Sequence, residues 1–156
     1  MPHSYRVSGV AHAPPETVWS LVATTSRWPE WSGVPRAVVE RQGDPPPDGV
    51  GSIRRLGAGR FVSSREETLV WDPPHHMAYT ILSGLPVRGY RADVELSPGP
   101  GPGTTLVVWR GSFDAKWAGT GALVAAALRQ VIGLFTRRLC AHAGRMARAT
   151  GPADQT

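Results

Sequence analysis

The chain has 156 residues, 41% of them apolar and 19% charged, which suits one domain with its own core and excludes an intrinsically disordered chain. Its net charge is +5, and sixteen of the seventeen basic residues are arginine, Lys116 being the single lysine. Those arginines are scattered, the only adjacent pairs being Arg54-Arg55 and Arg137-Arg138, so no basic arm or nucleic-acid motif emerges and a nucleic-acid partner is argued against.

Residues 5–13 alternate and carry small and β-branched side chains, which predicts a first strand. Ala13-Pro14-Pro15-Glu16-Thr17-Val18-Trp19 follows. Proline at a first helical position with an acid in the first turn marks a short helix to about residue 24. Pro29, inside Trp28-Pro29-Glu30-Trp31, divides this region into a second short helix or turn. Strand-like runs then alternate with turn signals. The runs are 34–41, 50–56, 61–71, 76–83, 87–96 and 104–113. The turns between them include Asp44-Pro45-Pro46-Pro47-Asp48-Gly49, Gly57-Ala58-Gly59, Asp72-Pro73-Pro74, Gly84-Leu85-Pro86 and the Pro/Gly run 97–103. From 120 to 149 proline disappears. Leu128, Val131, Ile132, Phe135, Leu139, Ala143 and Met146 recur at helical spacing, with Arg129, Arg137, Arg138, Arg145 and Arg148 on the other face. This predicts one amphipathic helix about 45 Å long. Residues 151–156 read as a frayed tail behind a single domain spanning 1–150.

Short turns between successive strands imply an antiparallel sheet, and only the C-terminal helix is long enough to cover it. The expected fold class is therefore α+β: a curved sheet of about six or seven strands round a long C-terminal helix, with two short helices after the first strand. No apolar run approaches the about 18 residues of a membrane span, and residues 1–9 lack the apolar segment of a signal peptide. Cys140 is the only cysteine, which excludes an internal disulfide or a cysteine-built zinc site. Cys140 and His142 are two positions apart and do not share a helical face, so no metal is expected. No Ser-His-Asp, phosphate-loop or dinucleotide signature is present, and no cofactor is expected. His75 and His76 are expected in an exposed turn. A cytoplasmic monomer or homodimer is the resulting expectation.

The order of elements, together with Ala13–Trp19, Trp28-Pro29-Glu30-Trp31, Gly49-Val50-Gly51-Ser52-Ile53-Arg54, Arg65-Glu66-Glu67, Trp71-Asp72-Pro73-Pro74, Gly84-Leu85-Pro86 and Trp109, resembles the START-like or Bet v 1-like (SRPBCC) superfamily with its helix-grip fold. Within it, the chain resembles the polyketide cyclase/dehydrase and lipid-transport group. The likeness spans about residues 5–147. It implies a cavity between sheet and helix for a small hydrophobic or aromatic molecule.

Alternation places Thr105, Val107, Trp109, Gly111 and Phe113 on one face, Tyr90, Ala92, Val94 and Leu96 on another, and Met77, Tyr79 and Ile81 on a third. Candidate ligand contacts are Trp28, Trp31, Tyr90, Trp109, Phe113, Leu128 and Phe135; the same side chains serve equally as ordinary core. Arg54 and Glu66 form the sharper pair, because buried charges are costly unless matched. They either pair with one another or serve a ligand. Two functions follow. One is binding of a hydrophobic or aromatic guest without chemistry. The other is a cyclase, aromatase or dehydratase acting on a poly-β-ketone, with Glu66 as base and Arg54 and Tyr79 as carbonyl partners. An anionic partner for the basic face of the terminal helix is a third reading.

Overall fold

A computed structural model describes residues 2–58 and 62–151. Seven strands form one antiparallel sheet: β1 (His3–Ala11), β2 (Arg36–Arg41), β3 (Ile53–Ala58), β4 (Val62–Asp72), β5 (His76–Ser83), β6 (Val87–Pro98) and β7 (Thr105–Ala115). Their spatial order is β1-β7-β6-β5-β4-β3-β2, so every neighbouring pair except β1–β7 is a hairpin. Between β1 and β2 lie α1 (Pro15–Val22), a 3-10 turn (Thr25–Arg27) and α2 (Trp28–Trp31); α3 (Gly121–Ala149) closes the chain. The expected helix-grip architecture is present. No helix among the described residues is long and apolar enough to cross a membrane.

Element ends shift for local reasons. β2 begins after Pro35, which cannot donate to a ladder. Val50 forms only an isolated bridge with Asp44, and β3 starts at Ile53. β3 continues through Gly57, whose missing side chain lets the backbone of Val62 and Ser63 approach closely. The expected start of the fourth strand at Phe61, the Gly59 end of the turn before it and the tail 152–156 lie outside the described residues. His76 is the first residue of β5 rather than part of a turn. Its Nε2 lies 2.7 Å from Asp93 Oδ1 on β6; only His75 remains exposed in the turn.

Bulges decide which face each strand offers. Thr68 pairs with Tyr79 and Val70 with Ala78, so Leu69 is an extra residue. It turns Trp71 to the inner face, where Trp71 meets Trp19 of α1 at 5.1 Å between ring centroids. A second irregularity pairs Arg65 with Ser83 and Glu66 with Ile81, so Leu82 of β5 is the extra residue there, while Glu66 keeps the inward parity of Thr68. α3 runs along β1: Gly9 lies beneath Thr136 and Cys140, and Gly133 faces Val7. Leu128, Ile132, Thr136, Leu139 and Ala143 are its buried stripe. The outer face of its N-terminal half is apolar as well, with Leu123 at 75% exposure and Val131 and Leu134 also exposed, while the arginines gather further on.

Candidate ligand cavity

The interior divides into a filled end and a hollow end. At the filled end Trp28 anchors the packing of α2. Its ring meets Trp31 at 4.6 Å, Phe135 at 5.4 Å and Trp109 at 6.1 Å, the last two edge-on. Pro29 breaks any longer helix here, so the Trp-Pro-Glu-Trp turn carries both indoles inward. Each indole N–H finds a backbone acceptor, Trp28 the Val22 carbonyl at 2.9 Å and Trp31 the Leu21 carbonyl at 3.1 Å.

The hollow end is a cavity of about 350 Å³ between the sheet and α3. Trp28, Glu66, Tyr79, Tyr90, Leu128 and Phe135 all line it, so six of the ten candidate site residues converge there. Trp31, Trp109, Phe113 and Arg54 do not line it. Ile81, Leu85 and Ile132 add apolar wall, and Val62, 70% exposed on the β3–β4 hairpin, marks the mouth together with Val131 of α3.

Arg54 and Glu66 face one another across β3 and β4. Arg54 Nε donates to Glu66 Oε2 at 2.8 Å. Arg54 Nη2 lies 2.8 Å from the same oxygen but off the hydrogen-bonding direction, which gives charge contact without a bond. The side chains are 4% and 8% exposed. Aromatic faces cover the guanidinium, with its carbon 4.7 Å from the Trp28 ring centroid and 5.3 Å from that of Tyr79. The arginine is thus held behind the cavity wall, and the carboxylate forms part of the wall.

Three tyrosines complete the polar inventory. Tyr79 accepts from Trp109 Nε1 at 3.1 Å, and the hydroxyls of Tyr5 and Tyr90 bond to each other. Gly111 makes the second contact feasible, because the Tyr5 ring lies where a side chain at 111 would stand. Burial pushes all three phenols well above their ordinary range, so they stay protonated and act as hydrogen-bonding groups rather than bases. Tyr5, on the inner face of β1, does not line the cavity and reaches it only through Tyr90. The described residues hold no group of three or more His, Cys, Asp or Glu placed to bind a metal ion.

A sheet gripping a terminal helix has known counterparts. The family model for polyketide cyclase/dehydrase and lipid transport matches residues 2–144. The chain belongs to this family. Solved structures share the family fold. A protein from Thermobifida fusca is 28% identical, with a TM-score of 0.73 over 94% of this chain and 95% of that one. The protein XoxI from Bacillus cereus is 18% identical, with a TM-score of 0.74 over 89% of this chain and 94% of its own. An uncharacterised protein from Bacillus thuringiensis is also 18% identical, with a TM-score of 0.75 over 90% and 98%. Among curated proteins none matches the sequence. The described lining of the cavity is mostly apolar and aromatic, with one carboxylate and two neutral phenols, those of Tyr79 and Tyr90.

Proposed function

We propose that the protein binds a small hydrophobic or aromatic molecule in the cavity between the sheet and α3. The observation that carries this reading is the cavity itself. Its volume falls at the small end of the about 300–1,000 Å³ typical of ligand sites. Its walls are apolar and aromatic, with few convergent polar groups, which is the usual composition of such a site. Native mass spectrometry of the purified protein and displacement of a neutral dye such as Nile red test it. Ile81→Trp fills the hollow from β5 and abolishes dye binding while the fold persists. Unchanged dye binding by that variant refutes the reading.

A second reading is favoured by one observation: among the described residues Glu66 is the only carboxylate on the wall, and Tyr79 lies on the same wall. A ring closure of a poly-β-ketone needs an α-proton removed and an enolate held in place. Glu66 would take the proton, the Tyr79 hydroxyl would donate to the developing oxyanion, and Arg54 would fix the carboxylate rather than touch the substrate. Incubation with a poly-β-ketone mimic, comparing the protein with Glu66→Gln, tests this reading. Equal product ratios with and without the protein reject it. The walls would also bias a spontaneous closure by holding the chain folded.

A further inference from the structure

Building on the cavity-binding reading, we propose that the guest is a neutral molecule with an O–H or N–H donor on an apolar frame, and that Glu66 Oε1 receives this donor. Both Arg54 contacts fall on Oε2. Oε1 has no hydrogen-bond partner among the described residues, and Glu66 lines the cavity. Nor is Oε1 sealed away. The sole side-chain nitrogen or oxygen that is both fully enclosed and unpartnered among the described residues is Arg54 Nη2. Oε1 is therefore an accessible acceptor on a mostly apolar wall, whose other polar side chains are the hydroxyls of Ser63, Ser64, Tyr79 and Tyr90 among the described residues. A guest that displaces water from it without replacing the hydrogen bond leaves a desolvated carboxylate oxygen unmet, which is strongly unfavourable.

The charge pattern excludes the opposite class of guest. Glu66 is the only charged residue among those described on the cavity wall. The nearest cation, Arg54, is committed to Glu66 and covered by Trp28 and Tyr79. A carboxylate guest would meet a like charge, and the described residues of the wall offer no free cation to match it. A cationic guest would gain little, because Arg54 already balances Glu66. Tyr79 and Tyr90, held protonated by burial, do not add negative charge. What remains favourable is a neutral alcohol, phenol, enol or amide whose donor points at β4 while its frame lies against Trp28 and Phe135.

Three probes sharing one two-ring frame test this: 2-naphthol, naphthalene and 2-naphthoate, each measured by equilibrium dialysis at pH 7.5. The expected order is 2-naphthol tightest, naphthalene weaker by roughly ten- to a hundredfold, and 2-naphthoate weakest. Glu66→Leu alone strands Arg54, so the informative variant joins it to Arg54→Met and removes the pair together. That double variant binds naphthalene at least as well as the parent does and loses the preference for 2-naphthol. Equal affinity for the three probes, or 2-naphthoate tightest, overturns the donor assignment while leaving the cavity reading intact. Binding of none of the three overturns the cavity reading itself, and the donor assignment with it.

Discussion

Replacing Arg54 with methionine tests how the buried pair is balanced. The methionine keeps the length and apolar character of the stem but leaves Glu66, 8% exposed, without its cation. Breaking a buried pair from one side costs about 3–5 kcal/mol, because the remaining charge is uncompensated. Loss of the guanidinium from between the rings of Trp28 and Tyr79 adds about 1–2 kcal/mol. For a 156-residue chain each kcal/mol moves Tm by about 2–4 °C. The single variant should therefore melt roughly 8–28 °C lower. Adding Glu66→Leu removes the stranded charge and should restore most of the loss, since apolar replacement of a buried pair is often neutral or stabilising. Urea unfolding of the parent, both single variants and the double variant gives the coupling energy, expected at about 3 kcal/mol. A single-variant loss below about 1 kcal/mol, or a double variant no more stable than Arg54→Met, would show that burial of this pair does not govern its energetics.

Three further outcomes are expected. Asp48 accepts from both the N–H and the hydroxyl of Thr25, at 3.2 and 2.5 Å, and so joins the loop before β3 to the 3-10 turn; Asp48→Ala should cost about 1.5–3 kcal/mol in chemical unfolding, and a loss under 0.5 kcal/mol would contradict that tie. Asp93 is partly buried, which alone would raise its pKa, but hydrogen bonds from Arg91 and His76 outweigh burial and hold it below its ordinary 3.8. A depressed folded-state value means that the stabilisation is complete above pH 3.8 and is lost as pH falls through the folded value; Asp93→Asn should therefore flatten the fall in Tm between pH 4 and 2, and an unchanged acid limb would refute the assignment. Burial pushes the Cys140 thiol up to about 11, so its reaction with a disulfide reagent at pH 8 should be slow in the folded protein and rapid in urea, with equal rates ruling out a shielded thiol.

Much of this molecule can be read along the chain. Pro15 and Pro29, the Pro/Gly turns and the proline-free apolar periodicity of 120–149 are local signals. They act through backbone sterics and side-chain spacing within a few residues, so the element order and the inner faces of β5, β6 and β7 follow directly. The inward direction of Arg54 and Glu66 also follows from alternation with Ser52, Leu56 and Thr68.

Other properties belong to the assembled sheet. The bulges at Leu69 of β4 and Leu82 of β5 reset strand parity, and no local composition marks them. Whether a tryptophan on the inner face fills core or borders a hollow depends on how far α3 stands from each strand. Trp28 reaches the cavity, whereas Trp31 and Trp109, of the same residue type and equally buried, do not. The pairing of Arg54 with one oxygen of Glu66, leaving the other to the cavity, likewise arises only when β3 and β4 come into register and Trp28, twenty-six residues earlier, closes over the guanidinium. Local chemistry determines which elements form and which way most of them face; the distance between packed layers, a non-local balance of side-chain volumes, determines where the hollow lies and which polar atoms border it.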